Sequence, residues 1–143
     1  MAISQAMVTS FKVGILDGTF DFSSGTADTF KVALFTSAAT LGAATTAYST
    51  SNEVTGTNYV AGGNTLAISA NPASTGTTAF LDFADTTWAN ATITARGALI
   101  YKSGGGNPAI AVLDFGSDKT STLGDFTIVF PAADASNAII RIA

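Results

Sequence analysis

Cysteine and histidine are both absent from this chain. Their absence removes disulfides, Cys/His zinc sites, cysteine nucleophiles and every Ser–His–Asp arrangement. It also leaves the redox compartment unread. Charge is scarce as well, at 11% of 143 residues against about 25% in ordinary globular domains. The six basic residues, Lys12, Lys31, Arg96, Lys102, Lys119 and Arg141, are scattered. Nucleic-acid binding needs a clustered positive footprint, so no nucleic-acid partner is expected. No apolar run approaches the roughly 18–20 residues that cross a bilayer, so no membrane partner is expected either. The opening "MAISQAMVTSF" has no basic stretch ahead of an apolar one, which argues against a secretory signal.

What is present is apolar and weakly polar. Hydrophobic residues make up 47% of the chain, net charge is −4 and the pI is about 4.3. A disordered chain has the opposite balance, so residues 1–143 are expected to fold as a single domain. A chain of this length buries about two-thirds of its extended surface. Ser, Thr, Asn and Gly must then carry most of the hydration. Such a surface has little like-charge repulsion and suits a protein packed among others. A secreted or thermally stable β-domain with a Ser/Thr-rich face would share this composition.

The stretch "ISQAMVTSFKVGILDGTF" predicts one short N-terminal helix, with Ser4 as its cap and Gly18 as its end. Met7, Phe11 and Ile15 recur at four-residue spacing and would form one apolar stripe. That stripe would plug the domain's own core or dock on a neighbouring subunit. Beyond it the period changes to two. "TFKVALFT" sets Phe30, Val32 and Leu34 against Lys31 and Ala33, and "TITARGALIYK" alternates in the same way. "TTAFLDFA", "PAIAVLDF", "DFTIVFP" and "AIIRIA" read as further strands. Turn signals separate them: "SSGTAD", "AGGN", "NPASTG", "KSGGGNP" and "FPAADASN". The expected fold is mainly β, an antiparallel β-sandwich or barrel-like domain with one short N-terminal helix.

From Ser37 to Gly63 the chain is rich in Ala, Ser, Thr and Gly, with Glu53 its one charge, and no basic residue lies between Val32 and Ala95. Loops this long are functional or held down by something else. Tyr48, Val54 and Tyr59 are therefore candidate anchors for a partner, and Met7, Phe11 and Ile15 are a second candidate face. An ordinary loop folded over its own domain is the alternative.

Candidate chemistry is thin. "LDFGSDKTSTLGD" places Asp114, Asp118 and Asp125 within the span of an EF-hand loop. Gly116 stands at the third position, Lys119 at the sixth where glycine is needed, and Asp125 replaces the final Glu, so a calcium site is not expected. The segment reads instead as a polar hairpin loop over Ser117–Gly124, with Lys119 near Asp114 or Asp118 and with Phe115 and Phe126 at its ends. Asp82 and Asp85 in "LDFADTTW" are closely spaced, yet glycoside cleavage needs two carboxyls across a cleft. They read as turn formers, and Trp88 and Tyr101 as core rather than sugar platforms. No cofactor and no enzymatic activity are expected.

"TFKVALFTSAATLGAATTAYSTSNEVTGTNYVAGG", "WANATITARGALIY" and "VLDFGSDKTSTLGDFTIVFPAADASNAIIRIA" resemble small virion proteins encoded by tailed bacteriophages. The likeness runs from "MAISQAM" to "IIRIA" and carries no catalytic motif. It implies a virion structural protein, assembled in the bacterial host cytoplasm. One role it implies is capsid decoration, or cement, on the outer face of the major capsid protein shell. The other is a tail or neck component, such as a fibre adaptor or host-surface binding module. The implied partners are the major capsid protein or other virion proteins, with the chain a homo-oligomer in the particle.

Overall fold

Alternating β-branched and aromatic residues carry the chain into strands, and a computed structural model shows where each one pairs. It describes residues 2–143. The elements in order are β1 (Ala6–Met7), α1 (Thr9–Asp17), β2 (Phe30–Phe35), β3 (Asn64–Leu66) and β4 (Ile68–Thr75). There follow β5 (Thr78–Phe83), β6 (Thr86–Lys102), β7 (Ala109–Ile128) and β8 (Ile140–Ile142). Two antiparallel sheets result, in the orders β1-β7-β6-β2-β3 and β4-β5-β8. The fold is mainly β with one short helix near the N-terminus, in keeping with a β-sandwich.

The helix starts later than its sequence suggests. Ala6 and Met7 pair with Val112 and Ala111 of β7, and the Val8 N–H bonds the Ile110 carbonyl. Those backbone groups are committed to the sheet, so Ser4 cannot cap a helix and Met7 lies on a strand. Helix α1 opens at Val8 without a side-chain cap. Gly18 closes it as expected, in the left-handed conformation (φ 79°) that costs glycine no Cβ strain. Only Phe11 and Gly14 of the helix are fully buried.

β6 and β7 form a hairpin of 17 and 20 residues that dominates the larger sheet. Its turn, "SGGGNP", uses three positive-φ glycines, Gly104, Gly105 and Gly106. "PAIAVLDF" and "DFTIVFP" are not two strands but parts of one. Ser117–Gly124 is not a loop, because Lys119, Thr120 and Ser121 pair with Ala95, Thr94 and Ile93. Threonine suits a strand, and cross-strand hydroxyl pairs stitch this one: Thr94 to Thr120 at 3.1 Å and Thr87 to Thr127 at 2.8 Å. Surplus residues are absorbed as register shifts, with positive φ at Gly116 and Leu123.

Those irregularities bend the hairpin back on itself. The rings of Phe115 and Phe126, both on β7, lie only 6.3 Å apart. An unbent strand would separate them by about 36 Å at about 3.3 Å per residue. At the far edge of the sheet, Asn64 of β3 donates to the Thr86 hydroxyl at 2.9 Å and to the Thr87 carbonyl at 3.1 Å. The sheet thus curls until its last strand reaches the start of β6.

Phenylalanines join this curl to the smaller sheet. Phe83 of β5 packs 5.9 Å from Phe30 and 6.0 Å from Phe130, and Phe22 stacks on Phe30 at 4.5 Å. Phe11 of α1 meets Phe20 edge-on at 4.9 Å. β2, between β6 and β3, is covered on both faces, so Ala33 is buried with Val32 and Leu34 and only Lys31 reaches solvent. "NPAST", read above as a turn, lies in β4, where Pro72 is tolerated because β4 is an edge. The total accessible surface, 6940 Å², matches the about 6,800 Å² expected of a folded monomer of this mass. The long Ser37–Gly63 segment therefore lies against the body and does not extend from it.

Candidate functional site

Backbone bonds tie that long segment to the body at several points, among them Leu41 to Ser4, Tyr48 to Asn107 and Thr57 to Thr92. Its one charge gathers its side chains. Glu53 bridges to Phe35 at the end of β2 and is only 9% exposed. One of its carboxylate oxygens, Oε1, accepts the Tyr59 hydroxyl at 2.6 Å and the Gly62 N–H at 2.8 Å. The other, Oε2, accepts the Tyr48 hydroxyl at 2.6 Å. Three donors on a buried carboxylate compensate the cost of removing it from water. The Tyr101 hydroxyl donates to the Gly62 carbonyl at 2.7 Å, and its ring stacks on Tyr48 at 4.5 Å. Two glycines let the segment approach closely. A Cβ on Gly56 would strike the Thr92 carbonyl, and one on Gly63 would strike that of Val32.

The electrostatics follow from this packing. Burial, and then the hydrogen bond to Glu53, push the Tyr48 and Tyr59 phenols well above their ordinary value. Burial, with the Glu53 charge nearby, pushes Tyr101 up to about 12. All three phenols therefore keep their protons at neutral pH. Chemically the cluster is a latch of donors closed on one carboxylate. Both carboxylate oxygens are spent on internal donors.

The candidate interface residues make the following contacts within their own domain. Val54 and Phe11 lie in the core. Tyr48 and Tyr59 are half-buried with their polar tips turned inward, so they anchor the segment to its own domain. Met7 and Ile15 are half-buried and pack against the core from different elements. The Met7/Phe11/Ile15 stripe is thus not one helix face. Composition disclosed that the segment needed holding down, but not that its lone glutamate binds two of its tyrosines and the Gly62 N–H.

The aspartates divide as well. Asp114 pairs with Arg96 at 3.2 Å and accepts the Gly116 N–H, so its expected neighbour Lys119 is not its partner. Asp125 accepts the Asn90 N–H. Asp85 accepts the Phe130 N–H at 2.8 Å, a partner 45 residues away, so it does more than form a local turn. Asp82 is buried in β5 with one oxygen lacking a partner, and burial, then the nearby Asp85 charge, raise its pKa. Trp88 and Tyr101 are core residues, as read from the sequence. Among the described residues, no cluster of three metal-ligating side chains occurs and no helix is long and apolar enough to cross a membrane.

Apolar surface appears where the sequence did not single it out. Val13, Leu16, Val60, Leu123 and Val129 are all exposed. An apolar groove of about 160 Å³ lies between α1 and the smaller sheet, lined by Ile15, Phe20, Phe22, Pro72, Phe80 and Ile142 among others. Fold and site together define a small curled β-domain with an internally latched loop. No family model, curated protein or solved structure matches the chain.

Proposed function

We propose that this chain is a structural component of a tailed-phage particle, a decoration protein seated on the outer face of the major capsid protein shell. The observation that carries the reading is the distribution of charge. Between Val32 and Ala95 the chain has only Glu53, Asp82 and Asp85 as charged residues, and two of these, Glu53 and Asp82, are buried. The exposed remainder of that stretch is largely Ser, Thr, Asn and Ala. A partner can cover such a surface while stripping water from few ions, a step that is otherwise costly. The resemblance to small virion proteins supplies the kind of partner. The tightly latched loop adds a rigid surface, which loses little entropy on docking.

The test is to add purified protein to particles that lack it and count bound copies. Decoration requires copies commensurate with the capsid subunits. A few copies confined to the tail would instead assign the chain to a tail or neck role, and no binding to any part of the particle would overturn the proposal.

A further inference from the structure

The outward face of α1 carries side chains that complement themselves across a two-fold axis. The helix turns Phe11 and Gly14 into the core and leaves Lys12, Val13, Leu16 and Asp17 exposed. Val13 is 57% and Leu16 is 88% exposed, so nothing among the described residues covers them. At about 100° per residue the four side chains share one arc, with Val13 and Leu16 central and Lys12 and Asp17 on the flanks. In heptad terms they occupy g, a, d and e. A β-branched residue at a with leucine at d favours a parallel two-stranded pairing, and g faces e across it.

The charges fit the same arrangement. Five residues apart on one helix, Lys12 and Asp17 are not the neighbours that positions three or four apart would be. Among the described residues Lys12 has no ion pair, and Asp17 accepts only from Thr19. Across a parallel two-fold axis, Lys12 of each copy meets Asp17 of the other.

We propose that a second copy of this chain docks on this face, by parallel pairing of α1 with α1 through Val13 and Leu16. The contact is small. Nine residues span about 13 Å, and one heptad falls short of the about 1,200 Å² of a stable interface. The groove beside α1, with Ile142 at its rim, extends the apolar area. Dimerisation is therefore weak and concentration-dependent in free solution, and gains strength where copies are held side by side. The proposal does not depend on the particle reading.

The absence of cysteine makes a direct test available. Leu16→Cys places one thiol at d, where parallel pairing sets it opposite its twin. Mild oxidation should give at least about tenfold more covalent dimer than Val60→Cys, a comparably exposed site outside the proposed contact. In sedimentation of the intact chain, Leu16→Glu should weaken the dimer by at least about tenfold. Lys12→Glu should weaken it too, and Lys12→Glu with Asp17→Lys should restore it. A wild-type chain monomeric at millimolar concentration would overturn the proposal. So would equal trapping of the two cysteine variants, a dimer indifferent to Leu16→Glu, or an exchange of charges that restores nothing.

Discussion

The Tyr59 hydroxyl donates to the Glu53 carboxylate at 2.6 Å, and its phenolic oxygen accepts the Leu34 N–H at 2.8 Å. One side chain thus ties the long loop to the buried strand β2. Tyr59→Phe removes both bonds and leaves the Leu34 N–H in the interior without a partner. The expected loss is about 2 kcal/mol of unfolding free energy in a urea titration. At about 2–4 °C per kcal/mol for a chain of this size, the melting point should fall visibly. An unchanged midpoint would remove Tyr59 from the latch.

Glu53→Gln probes the other end. The amide keeps one acceptor oxygen where the carboxylate offers two, so at least one of Tyr48, Tyr59 and Gly62 loses its partner. Leaving one buried donor without an acceptor costs about 2 kcal/mol. Proteolysis should report the opening, with new cleavage inside Ser37–Gly63. If the variant resists protease as the parent does, the latch is not what holds the segment.

Asp82 gives a pH signature of defined sign. Its carboxyl is held above its ordinary value of 3.8 by burial, then by Asp85, so the native state holds that proton more tightly than the unfolded chain does. The stability gained from protonation is complete below the unfolded value and is lost as pH rises through the raised native one. Asp82→Asn should flatten that decline and make the chain more stable at pH 7, by about 1 kcal/mol. Parallel stability curves for parent and variant between pH 4 and 7 would contradict it.

Gly63→Ala tests the close approach of the loop to β2. Gly63 has φ 76°, and an added Cβ meets the Val32 carbonyl, part of a buried backbone that cannot yield cheaply. Destabilisation above about 3 kcal/mol is expected, whereas Gly76→Ala, also at positive φ but in open space, should cost only about 1 kcal/mol. Similar losses at both positions would mean that steric contact is not the cause.

Calcium should leave the melting temperature unchanged. Asp114 is already paired with Arg96, and Asp125 is bonded to the Asn90 N–H. A specific ligand at a hundred times its dissociation constant would add about 2.7 kcal/mol. A shift of that size, lost in Asp118→Ala, would restore the metal reading of this strand.

Much of the fold was legible because its cause is local. Alternation marks β2, β5, β8 and the interior half of β6, and Gly18 marks the helix end through its tolerance of positive φ. The helix start was misplaced because Ser4 is a competent cap in isolation. Its backbone instead bonds Leu41, and Val8 bonds Ile110, more than a hundred residues on. β7 was cut in two because "GSDKTSTLG" has a turn's composition. Only a partner strand offering Thr94 and Ala95 at the right register makes it a strand.

The inward bonds of the candidate interface tyrosines were hidden for a related reason. Tyrosine in a Ser/Thr-rich loop looks the same in sequence whether its hydroxyl meets water, a partner or a buried carboxylate. By itself, the sequence determined a mainly β chain with a short early helix, without cysteine or histidine chemistry and with little charge, because propensity, period and composition act over a few residues. The tertiary structure alone decided that Glu53 gathers Tyr48, Tyr59 and Gly62, that β7 bends Phe115 onto Phe126, and that Val13 and Leu16 are among the apolar side chains left outside. Each of those depends on groups brought together from distant positions, and their hydrogen bonds and burial exist only once the sheet has closed around them.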